Sequence, residues 1–243
     1  MLTKNQIKLI TSLTQKKYRK QEQLFIAEGV KVISEFLDAN YELEHLYYTE
    51  AIFEQVDQDK KTLVTVAELN KITALTTANN CLAVFKIPRL KMLRQEGLIV
   101  ALDDIRDPGN LGTIIRLCDW FGISKIVCTF ETVDVYNPKV VQATMGSMAR
   151  VDVHYIDLEK FLNRAPMAVF GTFMDGENIY NVNLPKEGIV VLGNEANGIS
   201  EVISTCVSQK IAIPRFGNLQ QTESLNVATA AAIILSEFRR NFN

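Results

Sequence analysis

The 243-residue chain has little histidine, a single tryptophan and no long apolar run. It has only His45 and His154, and Cys81, Cys118, Cys128 and Cys206 form no Cys-x-x-Cys pair, so the pattern of a zinc cluster is missing and no metal is expected. The cysteines read as reduced, buried thiols. The longest apolar run, Val227 to Leu235 with Thr229 inside it, covers nine residues, whereas a membrane-spanning helix needs about 20. The opening Met1-Leu2-Thr3-Lys4-Asn5-Gln6 leads into a charged segment without the apolar core of a signal peptide, which makes the cytoplasm the expected location. Neither G-x-G-x-x-G after a first strand, G-x-x-x-x-G-K-[ST] nor G-x-S-x-G occurs. Dinucleotide, P-loop and α/β-hydrolase chemistry therefore lack their signatures.

What is present is an ordinary globular composition, 47% hydrophobic and 22% charged, with a net charge of −2 that conceals an asymmetry. Residues 1–95 carry 14 Lys+Arg against 11 Asp+Glu, and residues 96–243 carry 12 against 17. The first 20 residues hold Lys4, Lys8, Lys16, Lys17, Arg19 and Lys20 with no acid, a candidate phosphate-contacting surface. Ile7, Ile10 and Leu13, spaced by three, equally fit an amphipathic helix whose lysines are only solvated.

Periodicity predicts a small α/β unit with strands at 24–27, 45–49, 63–66 and 81–87 and helices at 29–39, 50–58 and 67–76. The charged, Pro- and Gly-bounded stretch at 88–97 reads as a linker. Longer apolar strands follow at 98–102, 125–130, 168–173, 188–192 and 210–213, with helices near 111–121, 137–147, 157–163 and 224–240. That alternation predicts an α/β fold with a parallel sheet covered on both faces, whose functional loops lie at the carboxyl ends of the strands.

Three segments occupy such positions. Asp103 to Arg116 follows the strand at 98–102, with Asn110 as a candidate helix N-cap, Gly112 open to close approach, and Arg116 less than two turns from Asn110. Leu192-Gly193-Asn194-Glu195, followed by Gly198, opens a buried strand into a polar loop. Ile213-Pro214 leads to Ser224-Leu225-Asn226-Val227 and an alanine-rich helix for which Ser224 is a natural N-cap.

Together these segments resemble the three motifs of the SpoU (TrmH) family of RNA 2'-O-ribose methyltransferases. Asn110, Gly112 and Arg116 match the first, Leu192, Gly193 and Glu195 the second, and Ile213, Pro214, Gly217, Ser224, Leu225, Asn226 and Val227 the third; Gln142 to Arg150, with Met145-Gly146-Ser147, also fits. Lys16-Lys17-Tyr18-Arg19 and Leu24 to Gly29 resemble the L30e-like substrate-binding domain of many members. The resemblance implies a small N-terminal α/β (L30e-like) domain at 1–90 and a C-terminal SPOUT α/β domain with a deep trefoil knot at 97–243. It implies S-adenosyl-L-methionine as cofactor, held at Thr172, Leu192, Gly193, Ile213 and Leu225. RNA contacts fall on Lys16, Lys17 and Arg19, and catalytic or orienting roles on Arg116, Asn110, Glu195, Ser224 and Asn226. It further implies a homodimer acting on RNA, ribosomal RNA in preference to transfer RNA.

The family gives the first motif's arginine the ribose proton. Neutral arginine at pH 7 costs about 9 kcal/mol, so Arg116 as proton acceptor and Arg116 as cationic phosphate clamp both remain open. A non-catalytic RNA-binding protein on the same fold is the competing reading, disfavoured by the intact polar residues of all three motifs. A nucleotide-dependent oxidoreductase lacks a phosphate fingerprint.

Overall fold

A computed structural model describes residues 1–90, 92–216 and 224–240, which leaves Gly217 of the third motif outside the described residues. The first part of the chain folds as α1 (Lys4–Ser12), α2 (Lys16–Glu22), β1 (Leu24–Glu28), α3 (Val30–Asp38), β2 (Leu43–Tyr48), β3 (Lys61–Leu63), α4 (Val66–Leu69) and β4 (Cys81–Lys86). The second folds as β5 (Leu98–Leu102), α5 (Pro108–Trp120), β6 (Lys125–Cys128), α6 (Pro138–Thr144), β7 (Asp152–Tyr155), α7 (Leu158–Asn163), β8 (Val169–Asn178), β9 (Gly188–Leu192), α8 (Glu201–Ser204), β10 (Gln209–Ala212) and α9 (Val227–Arg239). Two compact units result: Met1–Arg89 with Asp134–Ala149, and Leu90–Val133 with Arg150–Asn243. The stretch between β6 and β7, read from sequence as part of the C-terminal domain, thus packs with the first unit.

In the first unit the sheet runs β1-β4-β2-β3, with β4 antiparallel to both β1 and β2 and β3 parallel to β2. All of β1 is buried, and Ile10 and Leu13 join Leu69, Ile72, Leu82 and Val84 in one apolar cluster. Thr3 caps α1 through a capping box with Gln6, so the basic amino terminus is an ordered amphipathic helix. Asp134–Ala149 is bound by aromatic packing and by an ion pair. Tyr136 packs tilted against Phe25, with ring centroids 4.9 Å apart, and Asp134 receives Arg19. Met145 and Gly146 both take positive φ, and a Cβ on Gly146 would lie 2.5 Å from the Glu35 side chain, so only glycine fits against α3 there. The helix expected at 50–58 is replaced by a loop, because Phe53 turns left-handed (φ 56) and its carbonyl accepts from buried Lys61 Nζ at 3.0 Å.

The second unit holds a fully parallel six-stranded sheet in the order β10-β8-β9-β5-β6-β7. Strands β5 and β9 are buried at every position, as continuous apolar runs in a two-sided sheet should be. The chain leaves β5 in one direction toward β6 and β7 and returns on the other side through β8 and β9. The crevice between the ends of β5 and β9 is therefore the topological switch point, where open α/β sheets bind ligands. Leu102 pairs with Leu192, so the loops after both strands start level with each other. β7, an edge strand with two buried residues, was not anticipated from sequence.

Candidate active site

The loop that leaves β5 is built on carboxylates. Asp103 is buried, and its Oδ2 accepts from Ser200 N at 2.8 Å. Asp104 turns left-handed (φ 58), a conformation aspartate tolerates better than most residues, and donates its N–H to Thr129 Oγ1 at 3.0 Å. Asp107 then caps α5, accepting from Asn110 N at 2.7 Å, with Pro108 in the first turn. Asn110 was the cap expected from sequence; it sits instead at the third helical position, which frees its side chain.

That side chain joins the three motifs. Asn110 Nδ2 donates to Glu195 Oε1 at 2.8 Å, and Asn110 Oδ1 accepts from Asn226 Nδ2 at 2.9 Å. Asn226 Oδ1 in turn accepts from Ala228 N and Thr229 N at 3.0 and 3.2 Å, which makes Asn226 the N-cap of α9 in place of the expected Ser224. The chain of bonds has a direction. An N-cap must present oxygen to the helix N–H groups, so the Asn226 amide nitrogen must face Asn110. Asn110 then has to turn its own nitrogen toward the Glu195 carboxylate. Residues 85 and 116 positions from Asn110 thus fix one another's orientation.

The loop after β9 is held by a residue that sequence reasoning passed over. Asn194 is buried, donates to the Asp104 carbonyl at 2.7 Å, and accepts from Ala196 N and Asn197 N. Its backbone forms an antiparallel bridge with Gly198. A Cβ on Gly193 would stand 2.2 Å from the Gly198 carbonyl carbon, so the loop closes on itself only around glycine. No sequence signal singled out Asn194, whereas Asp107 before Pro108 is a helix-start signature legible in advance.

The remaining expected residues divide by placement. Arg116 is exposed, and its side chain makes no hydrogen bond or ion pair among the described residues. Six residues after Asn110, it lies about 9 Å farther along α5 and about 120° around it, so the two side chains leave the helix on different faces. Ser224 is exposed and lies outside the relay. Of the positions assigned to the cofactor, Leu192 is buried, Gly193, Ile213 and Thr172 are half-buried, and Leu225 is 49% exposed. Thr172 begins an excursion of β8: Gly171 pairs with Lys210 and Glu177 with Ile211, so residues 172–176 have no register partner in β10. A glycine that admits no side chain, an out-of-register strand segment and apolar side chains open to solvent suit an adenosine group held by main chain and apolar contact.

In the first unit, Lys16 and Lys17 are exposed on α2. Arg19, grouped with them as an RNA contact, is corrected by the structure. It is 2% exposed, with Nε and Nη2 on Asp134 Oδ2 at 3.0 and 2.5 Å and Nη1 on the Leu13 carbonyl. Its donors are turned inward, and its role is to bind α2 to the 134–149 segment. His45 and His154 are both held below the ordinary histidine pKa, chiefly by burial. Burial likewise raises the Cys81 thiol to about 11. A thiol held that high is not a nucleophile at neutral pH.

Residues 97–236 match the SpoU rRNA Methylase family, and residues 4–83 match the MRM3-like substrate binding domain. The chain is 26% identical to the 23S rRNA (guanosine(2553)-2'-O)-methyltransferase RlmP of Bacillus subtilis, over 97% of each chain. It superposes on a TrmH-family protein from Porphyromonas gingivalis with a TM-score of 0.91, 38% identity and 99% coverage of both chains. An AdoMet-bound rRNA methyltransferase from Sinorhizobium meliloti gives 0.89 at 30% identity, covering 100% of this chain and 97% of that one.

Proposed function

The chain belongs to the SpoU rRNA methylase family, and from that premise we propose that it transfers a methyl group from S-adenosylmethionine to a ribose 2'-hydroxyl of ribosomal RNA. The observation that carries this reading is the Glu195–Asn110–Asn226 relay, which gathers one residue from each family motif at the sheet's switch point. The match to a substrate-binding domain over residues 4–83, and a relative acting on 23S rRNA that aligns end to end, support ribosomal over transfer RNA.

The cofactor, when bound, supplies an electrophilic methyl group. Thr172, Leu192, Gly193, Ile213 and Leu225 hold its adenosine part through main chain and apolar contact, and we infer that this unit carries the trefoil knot that the resemblance to its family implies. Glu195, oriented by Asn110 and Asn226, receives the ribose hydroxyl and fixes its direction. Ser224 borders the same site. Alignment of this kind contributes about 7–11 kcal/mol in favourable cases. Arg116 acts as the clamp, because a neutral arginine at pH 7 costs about 9 kcal/mol, and it holds the phosphate beside the target ribose while the hydroxyl proton leaves to phosphate or water. Lys16 and Lys17 add phosphate contacts from α2. The chain works as a homodimer in the cytoplasm.

Two measurements test this reading. Titration calorimetry with S-adenosylmethionine is expected to show binding, and its absence sinks the enzymatic assignment. Mapping of 2'-O-methylation in cells with and without the gene is expected to lose one ribosomal RNA site, whereas a loss confined to transfer RNA overturns the substrate.

A further inference from the structure

Arg106 stands in the loop between β5 and α5, one residue ahead of the cap Asp107, and no motif assigns it a role. Its side chain is 70% exposed yet held in a fixed direction: Nε donates to Asp104 Oδ1 at 2.8 Å and Nη2 lies 2.8 Å from Asp104 Oδ2. Asp104 is itself immobilised, by its left-handed backbone, by Thr129 Oγ1 on its N–H and by Asn194 Nδ2 on its carbonyl. A solvent-exposed ion pair adds little to stability. Fixing the aspartate's main chain on both its N–H and its carbonyl, and engaging the guanidinium side-on, achieves something else, which is to aim the remaining donors. Nε and one Nη2 hydrogen are occupied, which leaves three N–H groups of this exposed fork without a hydrogen bond among the described residues.

The surroundings indicate what they meet. Hydrogen bonding to Asp104 is the main cause that raises the Arg106 pKa, and the charges of Asp104, Glu131 and Glu195 add to it, so the group stays cationic across the working pH range. The same carboxylates make the mouth of the site anionic, within a part of the chain that is acidic overall. A polyanion approaching Glu195 needs compensating cations, and Arg106, in the loop that leads into α5, supplies one in addition to Arg116. We propose that Arg106 is a substrate-binding residue that takes an RNA phosphodiester at the mouth of the Glu195–Asn110–Asn226 site, with Asp104 as its fixed support.

The proposal rests on the RNA-methyltransferase reading, and its test separates the two. Binding of a fluorescein-labelled 20-nucleotide single-stranded RNA is followed across a salt series for wild type, Arg106→Ala and Arg106→Lys, alongside calorimetry with S-adenosylmethionine. Arg106→Ala is expected to weaken RNA binding about tenfold and to reduce the slope of log affinity against log salt by about 0.7, the value for one phosphate contact on a single strand. Arg106→Lys restores the slope but only part of the affinity, because lysine keeps the charge without the fork. Cofactor affinity stays within about twofold of wild type in both variants, since neither alters the residues that hold it. An Arg106→Ala protein with unchanged RNA affinity and slope overturns the proposal, as does a wild type that binds no RNA. A wild type that binds RNA but not S-adenosylmethionine sinks the methyltransferase reading instead, and the slope still decides the role of Arg106.

Discussion

Replacing Asn226 by aspartate separates the two tasks this residue performs. Its Oδ1 caps α9 and its Nδ2 donates to Asn110. Aspartate caps a helix as well as asparagine does and adds a favourable negative charge at the helix N-terminus, so α9 keeps its stability. The donor, however, is gone. Asn110 Oδ1 then faces an oxygen; if the amide flips to donate to the new carboxylate, its oxygen turns on Glu195 instead. Either arrangement forfeits one hydrogen bond, about 1 kcal/mol if neutral and up to about 3 kcal/mol if it is the one to the Glu195 carboxylate. Carried into the alignment of Glu195, this lowers kcat/KM about 5- to 150-fold, toward the lower end because the groups are solvent-accessible. Asn226→Ala loses the cap as well, about 1 kcal/mol, and its Tm falls by about 2–4 °C. Radiolabelled methyl incorporation into ribosomal RNA and thermal melts of both variants give the comparison. Asn226→Asp with wild-type kcat/KM refutes the relay, and activity that follows Tm through both variants reduces Asn226 to a helix cap.

Arg19→Ala leaves Asp134 without its cation and is expected to cost about 3–5 kcal/mol, seen as a large fall in Tm, whereas exposed Lys17→Ala stays within about 0.5 kcal/mol of wild type. If the two variants melt alike, the assignment of Arg19 to the interior is wrong. For pH, His45 and His154 are depressed in the folded state by burial, so between their folded pKa values and about 6.5 the unfolded chain binds more protons. Their contribution is complete above about pH 6.5 and is lost as pH falls. Urea midpoints should therefore decline on acidification below that value, less steeply in His154→Asn, and equal slopes for the two proteins would contradict the account.

What was legible in the sequence was the pattern of apolar runs. Strands β5 and β9 announced themselves because a doubly covered strand is apolar throughout, and the polar loops after them were placed correctly for the same reason. Edge strand β7 carries a charge and a histidine among its four residues and gave no such run. The caps were displaced by a few residues at both α5 and α9, since each stretch offered several competent oxygens and local chemistry does not choose among them. Arg19 was misjudged for a different reason. Its carboxylate partner lies 115 residues away, and no local pattern distinguishes a buried cation from the exposed ones beside it. Asn194 was missed on the same grounds, its acceptor being the Asp104 carbonyl 90 residues distant.

The position of Arg116 leads to a last prediction. The relay runs from α5 to Glu195 and Asn226, while Arg116 leaves the helix about 120° away, with no side-chain partner among the described residues. Trp120, one turn on and 84% exposed, extends the same face. An exposed indole beside an arginine that has no side-chain partner among the described residues is the kind of surface that a second copy covers, and a two-fold dimer would then bring each Arg116 to the other chain's relay. Asn110→Ala and Arg116→Ala should each be nearly inactive as pure proteins. Co-expressed in equal amounts, about half of the dimers are mixed, and in each mixed dimer one site pairs the intact relay of one chain with the intact arginine of the other. Activity should return to about a quarter of wild type. If each site uses its own arginine, both sites of the mixed dimer are defective and nothing returns; a fully active monomer in analytical ultracentrifugation would rule out the shared site altogether.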